Sequence, residues 1–252
     1  MRVLYVITKA DEIGGAQIHV RDLAERLKID DHEVMVVAGE YGAFINQLED
    51  RGIAYAILPE LVREIKPYKD LKACVLLRGI IKKFNPDLVG LHSSKAGIVG
   101  RIAALGLGIP VIFTAHGWSF TDGVGNRKRK LYIFIEKIMS HFTDEIITVS
   151  EKDKELALNY DVTTAEKQIV IHNGIIDKFK EKVPNKKVNS DSKKIIITSV
   201  ARFSEQKDHE TLICAMSGIS NLNWELGNDS NLLIVFYVQI MPDDFVMQLH
   251  RF

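Results

Sequence analysis

The feature that most constrains this chain is a regular alternation of short Val/Ile-rich runs with longer segments of helical period. Val3–Thr8, Val34–Ala38, Ala54–Leu58, Leu88–Leu91, Val111–Thr114, Ile146–Val149 and Ile169–Ile171 read as strands. Between them lie helical segments near Gln17–Lys28, Phe44–Arg51, Leu71–Phe84, Gly97–Leu107, Arg129–Ser140 and Glu151–Tyr160. Apolar runs with little polar alternation belong to strands covered on both faces, which is the mark of a parallel sheet. Such alternation, kept up over about 170 residues, predicts an α/β domain with a Rossmann-like, doubly wound parallel sheet. Local punctuation agrees. Ser150 follows a strand and can cap Glu151–Tyr160, with acids in the first turn. Asn85-Pro86-Asp87 and Gly108-Ile109-Pro110 each end a helix before a strand, because the residue before proline is biased away from αR.

The pattern changes near Lys178. The stretch KFKEKVPNKKVNSDSKK is polar and lysine-rich and reads as a linker over 178–194, although a surface loop with a helical turn has the same composition. Beyond it a strand at Ile195–Val200 and a helix at Thr211–Ile219 read as the first β-loop-α unit of a second domain. The expected organisation is thus a domain over 1–177, a linker, and a partial Rossmann-like domain over 195–252, shorter than the ~100–150 residues of a typical domain.

Composition excludes several classes. With 252 residues, 46% hydrophobic and 26% charged, the chain is globular rather than disordered or fibrous. Thirty-three basic residues balance 33 acidic ones, so no global field draws in nucleic acid, and any attraction to an anionic surface is local. Cys74 and Cys214 are too far apart in sequence for a zinc motif and read as small packed residues of a reducing compartment. The opening MRVLYVITKA is strand-like rather than a signal peptide, and no apolar run reaches the ~18 residues of a membrane span, so a cytoplasmic protein is expected.

Four features carry chemistry. Gly14-Gly15 precedes a helix with apolar Ile18, Leu23 and Leu27. There the backbone can approach a phosphate at a helix N-terminus, or simply make a tight turn needing positive φ. His92, in LHSSKAG, and His116, in TAHGWSF, each follow a strand, at the edge where open α/β sheets bind ligands. Ser93, Ser94 and Lys95 add hydroxyls and a cation there, and each histidine alone would equally suit a structural hydrogen bond. Arg202 and Lys207 sit on one loop after the Ile195–Val200 strand and suit a diphosphate, or a solvated charged loop with Glu205 and Asp208. Finally, Arg127, Lys128, Arg129 and Lys130 lead into a helix whose Leu131, Phe134, Ile135, Ile138, Met139 and Phe142 form a stripe expected to face the core. Tyr132 and Ile133 would then be exposed beside the cations, a set suited to an anionic membrane surface or to plain solvation.

Taken together, GGAQIHVRDLAERL, HSSKAGIVGRIAAL, TAHGWSF, IITVSEKDKELAL, VIHNGI and SVARFSEQKDHETLI resemble, in order and spacing, the family 4 glycosyltransferases of bacterial capsule and exopolysaccharide synthesis. The resemblance covers roughly 1–226. It implies the GT-B architecture of two facing Rossmann-like domains. It also implies metal-free transfer of a sugar, with retention, from a nucleotide diphosphate donor to a glycan or lipid-linked acceptor, at the inner face of the membrane. By the same resemblance, Gly14 and Gly15 lie near the donor phosphates and His116 near the reacting sugar. Arg202 and Lys207 clamp the diphosphate, and His92, Ser93, Ser94 and Lys95 are acceptor-side candidates. Asn173-Gly174 resembles an interdomain stretch, but Ile176 stands where the family has aspartate, and Asp177 is given no role. The family's E-x7-E motif has no counterpart after Lys207, where Glu210 and Glu225 are the only glutamates. The last residues therefore read as a truncated donor domain with impaired donor binding. A non-catalytic subunit completed by a separate donor-domain chain is the other expectation. A nicotinamide oxidoreductase is disfavoured by the lack of G-x-G-x-x-G.

Overall fold

The computed structural model describes residues 1–121, 124–174, 196–201, 208–215 and 233–238. The chain divides into two compact units, Met1–Ile175 and Ile176–Phe252. The linker expected over 178–194 lies outside the described residues, as do Arg202 and Lys207.

The first unit is built on seven strands: β1 (Arg2–Ile7), β2 (Glu33–Ala38), β3 (Ala54–Ile57), β4 (Leu88–His92), β5 (Val111–Ala115), β6 (Glu145–Thr148) and β7 (Gln168–Val170). They form one sheet in the order β3-β2-β1-β4-β5-β6-β7. Every pairing is parallel. Six helices make the crossovers: α1 (Gly15–Ile29), α2 (Ala43–Asp50), α3 (Pro67–Phe84), α4 (Ser94–Ala104), α5 (Asn126–Ser140) and α6 (Glu151–Asn159). Winding proceeds outward from β1 in one direction and from β4 in the other, so right-handed crossovers place α1 and α2 on one face and α3 to α6 on the other. The two cores follow the period of β1. Val3, Tyr5 and Ile7 pack with Val20, Ala24, Phe44 and Leu48, while Leu4 and Val6 pack with Leu77, Ile81, Val99 and Phe113. Each fully buried aliphatic side chain of this kind contributes about 1.5–3 kcal/mol.

Helix ends follow the sequence signals. Ser150 Oγ accepts from the Asp153 N–H at 3.1 Å at the start of α6. Asn85, with φ 49°, closes α3 before Pro86. In the second unit, β8 (Ile196–Ala201) pairs in parallel with β9 (Leu233–Val238), with a helical segment over 209–215 between them in sequence. The expected helix Thr211–Ile219 is therefore described only in its first part.

Two helices turn a different face inward than their apolar periodicity predicts. In α1 the buried residues are Gln17, Val20 and Ala24, whereas Ile18 and Leu23 are exposed. Small Val20 and Ala24 let this helix lie close on the sheet. In α5 the inversion is larger. Leu131, Phe134, Ile138 and Phe142 are exposed, while Tyr132 and Ile133 pack against the core and Glu136 and Ser140 are buried. The cause is a buried ion pair: Arg101 of α4 donates to Glu136 Oε2 at 3.1 Å and stacks on Phe113, its guanidinium 4.1 Å from the ring centroid. A buried charge without its partner costs several kcal/mol, so Glu136 fixes the rotation of α5. Arg129 also turns inward, onto the Tyr160 ring at 5.0 Å. Tyr132, expected among the membrane-facing residues, is thus a core residue.

Candidate functional site

The strand order reverses between β1 and β4, and the carboxyl ends of these two strands are where a doubly wound sheet opens a crevice. Register places Ile7 opposite His92, and His92 opposite Thr114. The next residue along each of the first two strands meets across the gap: the hydroxyls of Thr8 and Ser93 are 2.8 Å apart. Ser93 is the N-cap of α4 and accepts from the Ala96 N–H at 3.4 Å. It does so with φ 100° and ψ 148°, a backbone region that non-glycine residues occupy at a cost of about 1–3 kcal/mol. Strain of this size is held where the surrounding structure over-determines it, and here that is the switch point.

Beside it three imidazoles converge. His92 Nδ1 lies 3.0 Å from His116 Nε2, and the two rings stack with centroids 5.4 Å apart. His19, in the first turns of α1, closes the group at 5.1 Å from His116 and 5.7 Å from His92. Tyr5 supports His92 edge-on from below, and its ring occupies the space a Cβ at Gly90 would take, 2.6 Å away. His92 is 1% exposed, and its Nε2 has no hydrogen-bond partner among the described residues. Burial lowers the pKa of all three. His92 is pushed well below its usual value by burial and then by the charges of His116 and His19. His116 falls to about 4 through burial and then His19, and His19 is lowered by burial against the opposing pull of Asp22. The cluster is therefore neutral near pH 7: each ring offers one donor and one acceptor and no charge.

The loop after β5 holds His116 in place. Gly117 has φ 101°, a left-handed conformation that lets the chain turn immediately after the histidine. Trp118 then anchors the turn by donating from Nε1 to the Asp153 carbonyl at 2.8 Å and stacking on Phe120. In TAHGWSF, then, His116 faces the site, and Gly117 and Trp118 hold the turn that follows it.

At the start of α1 neither Gly14 nor Gly15 has positive φ, so the tight-turn explanation of the pair does not hold. Gly14 donates its N–H to Gln17 Oε1 at 3.2 Å, and Gln17 Nε2 donates to the Lys9 carbonyl at 3.1 Å. A Cβ at Gly15 would meet nothing within 4 Å, so that side of the helix start is open. Lys95, by contrast, is committed: its Nζ lies 2.8 Å from both carboxylate oxygens of Asp70 and ties α4 to α3. Ser94 is the first residue of α4 and half-buried.

Sequence reasoning found His92, Ser93 and His116 because each follows a strand, and it missed Thr8 and His19. Thr8 was counted as the last residue of its strand. His19 sits within a helix, where only its place one turn after Gly15 marks it. The nitrogens of the three histidines lie within 4.8 Å of one another, a donor set that a borderline divalent ion would accept. The expectation of metal-free chemistry rests on the family resemblance.

With this geometry in hand, the comparisons define the class. The family model for Glycosyltransferase Family 4 matches residues 13–179, and the chain belongs to that family. Curated relatives include an Escherichia coli UDP-Gal:alpha-D-GlcNAc-diphosphoundecaprenol alpha-1,3-galactosyltransferase, 32% identical over 195 residues, covering 73% of this chain and 49% of that protein. The capsular polysaccharide biosynthesis glycosyltransferase CapM of Staphylococcus aureus is 28% identical over 205 residues, covering 77% of this chain and 52% of CapM. Among solved structures, a glycosyltransferase from Rickettsia africae superposes with a TM-score of 0.71 at 23% identity, over 96% of this chain and 62% of that one. Anabaena HepE, solved with UDP and glucose, gives a TM-score of 0.64 at 16% identity, over 93% of this chain and 69% of that one. The fold is that of the GT-B glycosyltransferases. The chain spans about half the length of the curated relatives it matches.

Proposed function

We propose that this chain is a retaining glycosyltransferase of bacterial surface-polysaccharide synthesis. It moves a sugar from a nucleotide diphosphate to an acceptor sugar carried on a lipid diphosphate, at the cytoplasmic face of the membrane. The observation that carries this reading is the neutral histidine cluster at the β1/β4 switch point, one helical turn from the open glycine pair. Family membership supports the reaction class. The E. coli relative's name supplies the donor and acceptor chemistry, a UDP-sugar and a diphosphate-linked GlcNAc. UDP bound to HepE agrees with a uridine donor.

In this reading the bond from the sugar anomeric carbon to the phosphate oxygen breaks. A bond to the acceptor oxygen forms on the same face, and the acceptor proton leaves with the nucleoside diphosphate. Negative charge grows on the leaving phosphate, so the first turn of α1 faces it with the backbone N–H groups that follow Gly14, whose own N–H is held by Gln17. Arg202 and Lys207 are assigned the diphosphate clamp. His116 is the catalytic residue. Being neutral, it donates or accepts a single hydrogen bond to the reacting sugar and leaves charge stabilisation of the phosphate to the clamp. His92 is a positioning residue that fixes the tautomer of His116 through their 3.0 Å contact. Ser93 and Ser94 present hydroxyls to the acceptor, and Lys95 with Asp70 holds α4 for them. No metal takes part in this account.

The test is transfer of radiolabelled galactose from UDP-galactose to a synthetic GlcNAc-diphospho-lipid, with binding of the acceptor measured by calorimetry in parallel. Acceptor binding and transfer resistant to EDTA, with His116→Ala lowering turnover by about 10²-fold at an unchanged melting temperature, support the proposal. Absence of both binding and transfer over a panel of nucleotide sugars, or transfer that EDTA abolishes and zinc restores, overturns it.

A further inference from the structure

Transfer as proposed uses His116 and His92 and leaves His19 without a task. Ring contacts place it, 5.1 Å from His116 and 5.7 Å from His92, and its imidazole makes no hydrogen bond among the described residues. It projects from α1, whereas His92 ends β4 and His116 follows β5, so three separate elements deliver one nitrogen each to a common point. Those ligand atoms all lie within 4.8 Å of one another, and His92 Nδ1 is 3.0 Å from His116 Nε2. Zinc–imidazole bonds of about 2.0–2.1 Å set the ligands of a tetrahedral ion about 3.3 Å apart. The His92–His116 pair thus already spans close to one tetrahedral edge. His19, half-buried in the first turns of α1, completes the set by swinging inward by about 1.5 Å. Two of the three rings are fixed in advance: Tyr5 supports His92 edge-on, and the Gly117–Trp118 turn holds His116. His92 Nε2 is buried without a partner among the described residues whichever ring nitrogen carries the proton, so coordination through Nδ1 strands no additional group.

We propose that His19, His92 and His116 form a zinc site that closes the switch-point crevice when it fills. The ligand chemistry selects the metal. Three imidazoles with no carboxylate or thiolate among them suit zinc and its late transition-metal neighbours, whereas magnesium and calcium demand oxygen ligands. Three protein ligands leave the fourth position of the tetrahedron to water. A filled site ties the three rings to one another and occupies His116 Nε2. It also sets a dication with its water beside the place assigned to the reacting sugar. Zinc is therefore an inhibitor of a reaction that itself runs without metal. That consequence rests on the transferase reading, and the binding of the metal does not.

The test is calorimetric titration of the full chain, stripped with EDTA and dialysed, with zinc chloride near pH 7 and with magnesium chloride as the comparison. One zinc per chain should bind with about micromolar affinity or tighter, and magnesium about 100-fold more weakly or not at all. Cobalt in place of zinc should give the intense visible bands of a tetrahedral ion. His19→Gln and His116→Gln should each weaken zinc binding by about 100-fold, the upper end of what loss of an outer-shell partner costs. His32→Gln and His141→Gln, outside the cluster, should bind as the parent does. Because His19 is half-buried, its variant decides the matter even where His116→Gln fails to fold. Zinc affinity that His19→Gln keeps, affinity lost in His32→Gln or His141→Gln instead, or affinity no better than for magnesium overturns the site. In the transfer assay, zinc should slow turnover in step with filling of the site, and EDTA should restore it. Turnover at the parent rate with the site full overturns the inhibitory role. Neither donor nor acceptor enters the titration, so a chain that binds zinc through these rings and transfers nothing counts against the transferase reading alone.

Discussion

His116 is the residue on which structure and chemistry meet, and its neutrality has a consequence for stability. The folded chain holds His19, His92 and His116 below the ordinary histidine value, so across the window beneath it the unfolded chain binds more protons. Stability is full above about pH 6.5 and is lost as pH falls toward the folded-state values. For His116 the fall from 6.5 to about 4 corresponds to on the order of 3 kcal/mol. The melting midpoint should therefore drop between about pH 7 and about pH 4.5, and His116→Gln should flatten that drop. A parent profile no steeper than that of His116→Gln would contradict the assignment. Ser93 offers a second test. Ser93→Gly relieves a backbone strain of about 1–3 kcal/mol but removes the hydroxyl that meets Thr8. Its thermal stability should be unchanged or higher, while affinity for the acceptor falls.

At the scale of elements, the pair between α4 and α5 is the most exacting feature. Arg101 and Glu136 are both almost wholly buried, and burial lowers the arginine pKa and raises that of the glutamate, against the attraction between them. Glu136→Ala leaves the guanidinium without its counterion and should cost about 3–5 kcal/mol. The double variant Arg101→Met, Glu136→Leu should recover most of that loss in a denaturant titration. This pair also marks the limit of what the sequence makes legible. All seven strands and six helices of the first unit are readable as alternating Val/Ile runs and periodic segments, with ends shifted by a few residues. Which side of α5 faces inward is not. Its apolar count favours the Leu131–Phe134–Ile138 side, and only a partner 35 residues earlier in the sequence, in α4, reverses that choice. α1 shows the same limit on a smaller scale, since close packing of Val20 and Ala24 outranks the larger Ile18 and Leu23. Periodicity reports where apolar residues lie, and packing decides which of them are used.

For the whole molecule, the first unit has both faces of its sheet covered and two cores of its own. A fragment Met1–Ile175 should keep a cooperative thermal transition and the far-UV spectrum of a parallel α/β domain. A fragment that melts without cooperativity would show that the first unit depends on residues beyond Ile175. The central claim, however, is that the switch-point histidines form the substrate site. It is tested most directly by long-range nitrogen–proton NMR of the imidazoles near pH 7, titrated with a GlcNAc-diphosphate acceptor analogue and with UDP-galactose. The account predicts neutral tautomers for His19, His92 and His116. It also predicts shifts on titration at those rings, with half-buried His32 and exposed His141, both outside the cluster, unmoved. Charged imidazoles in the free chain, or shifts confined to His32 and His141, would contradict it.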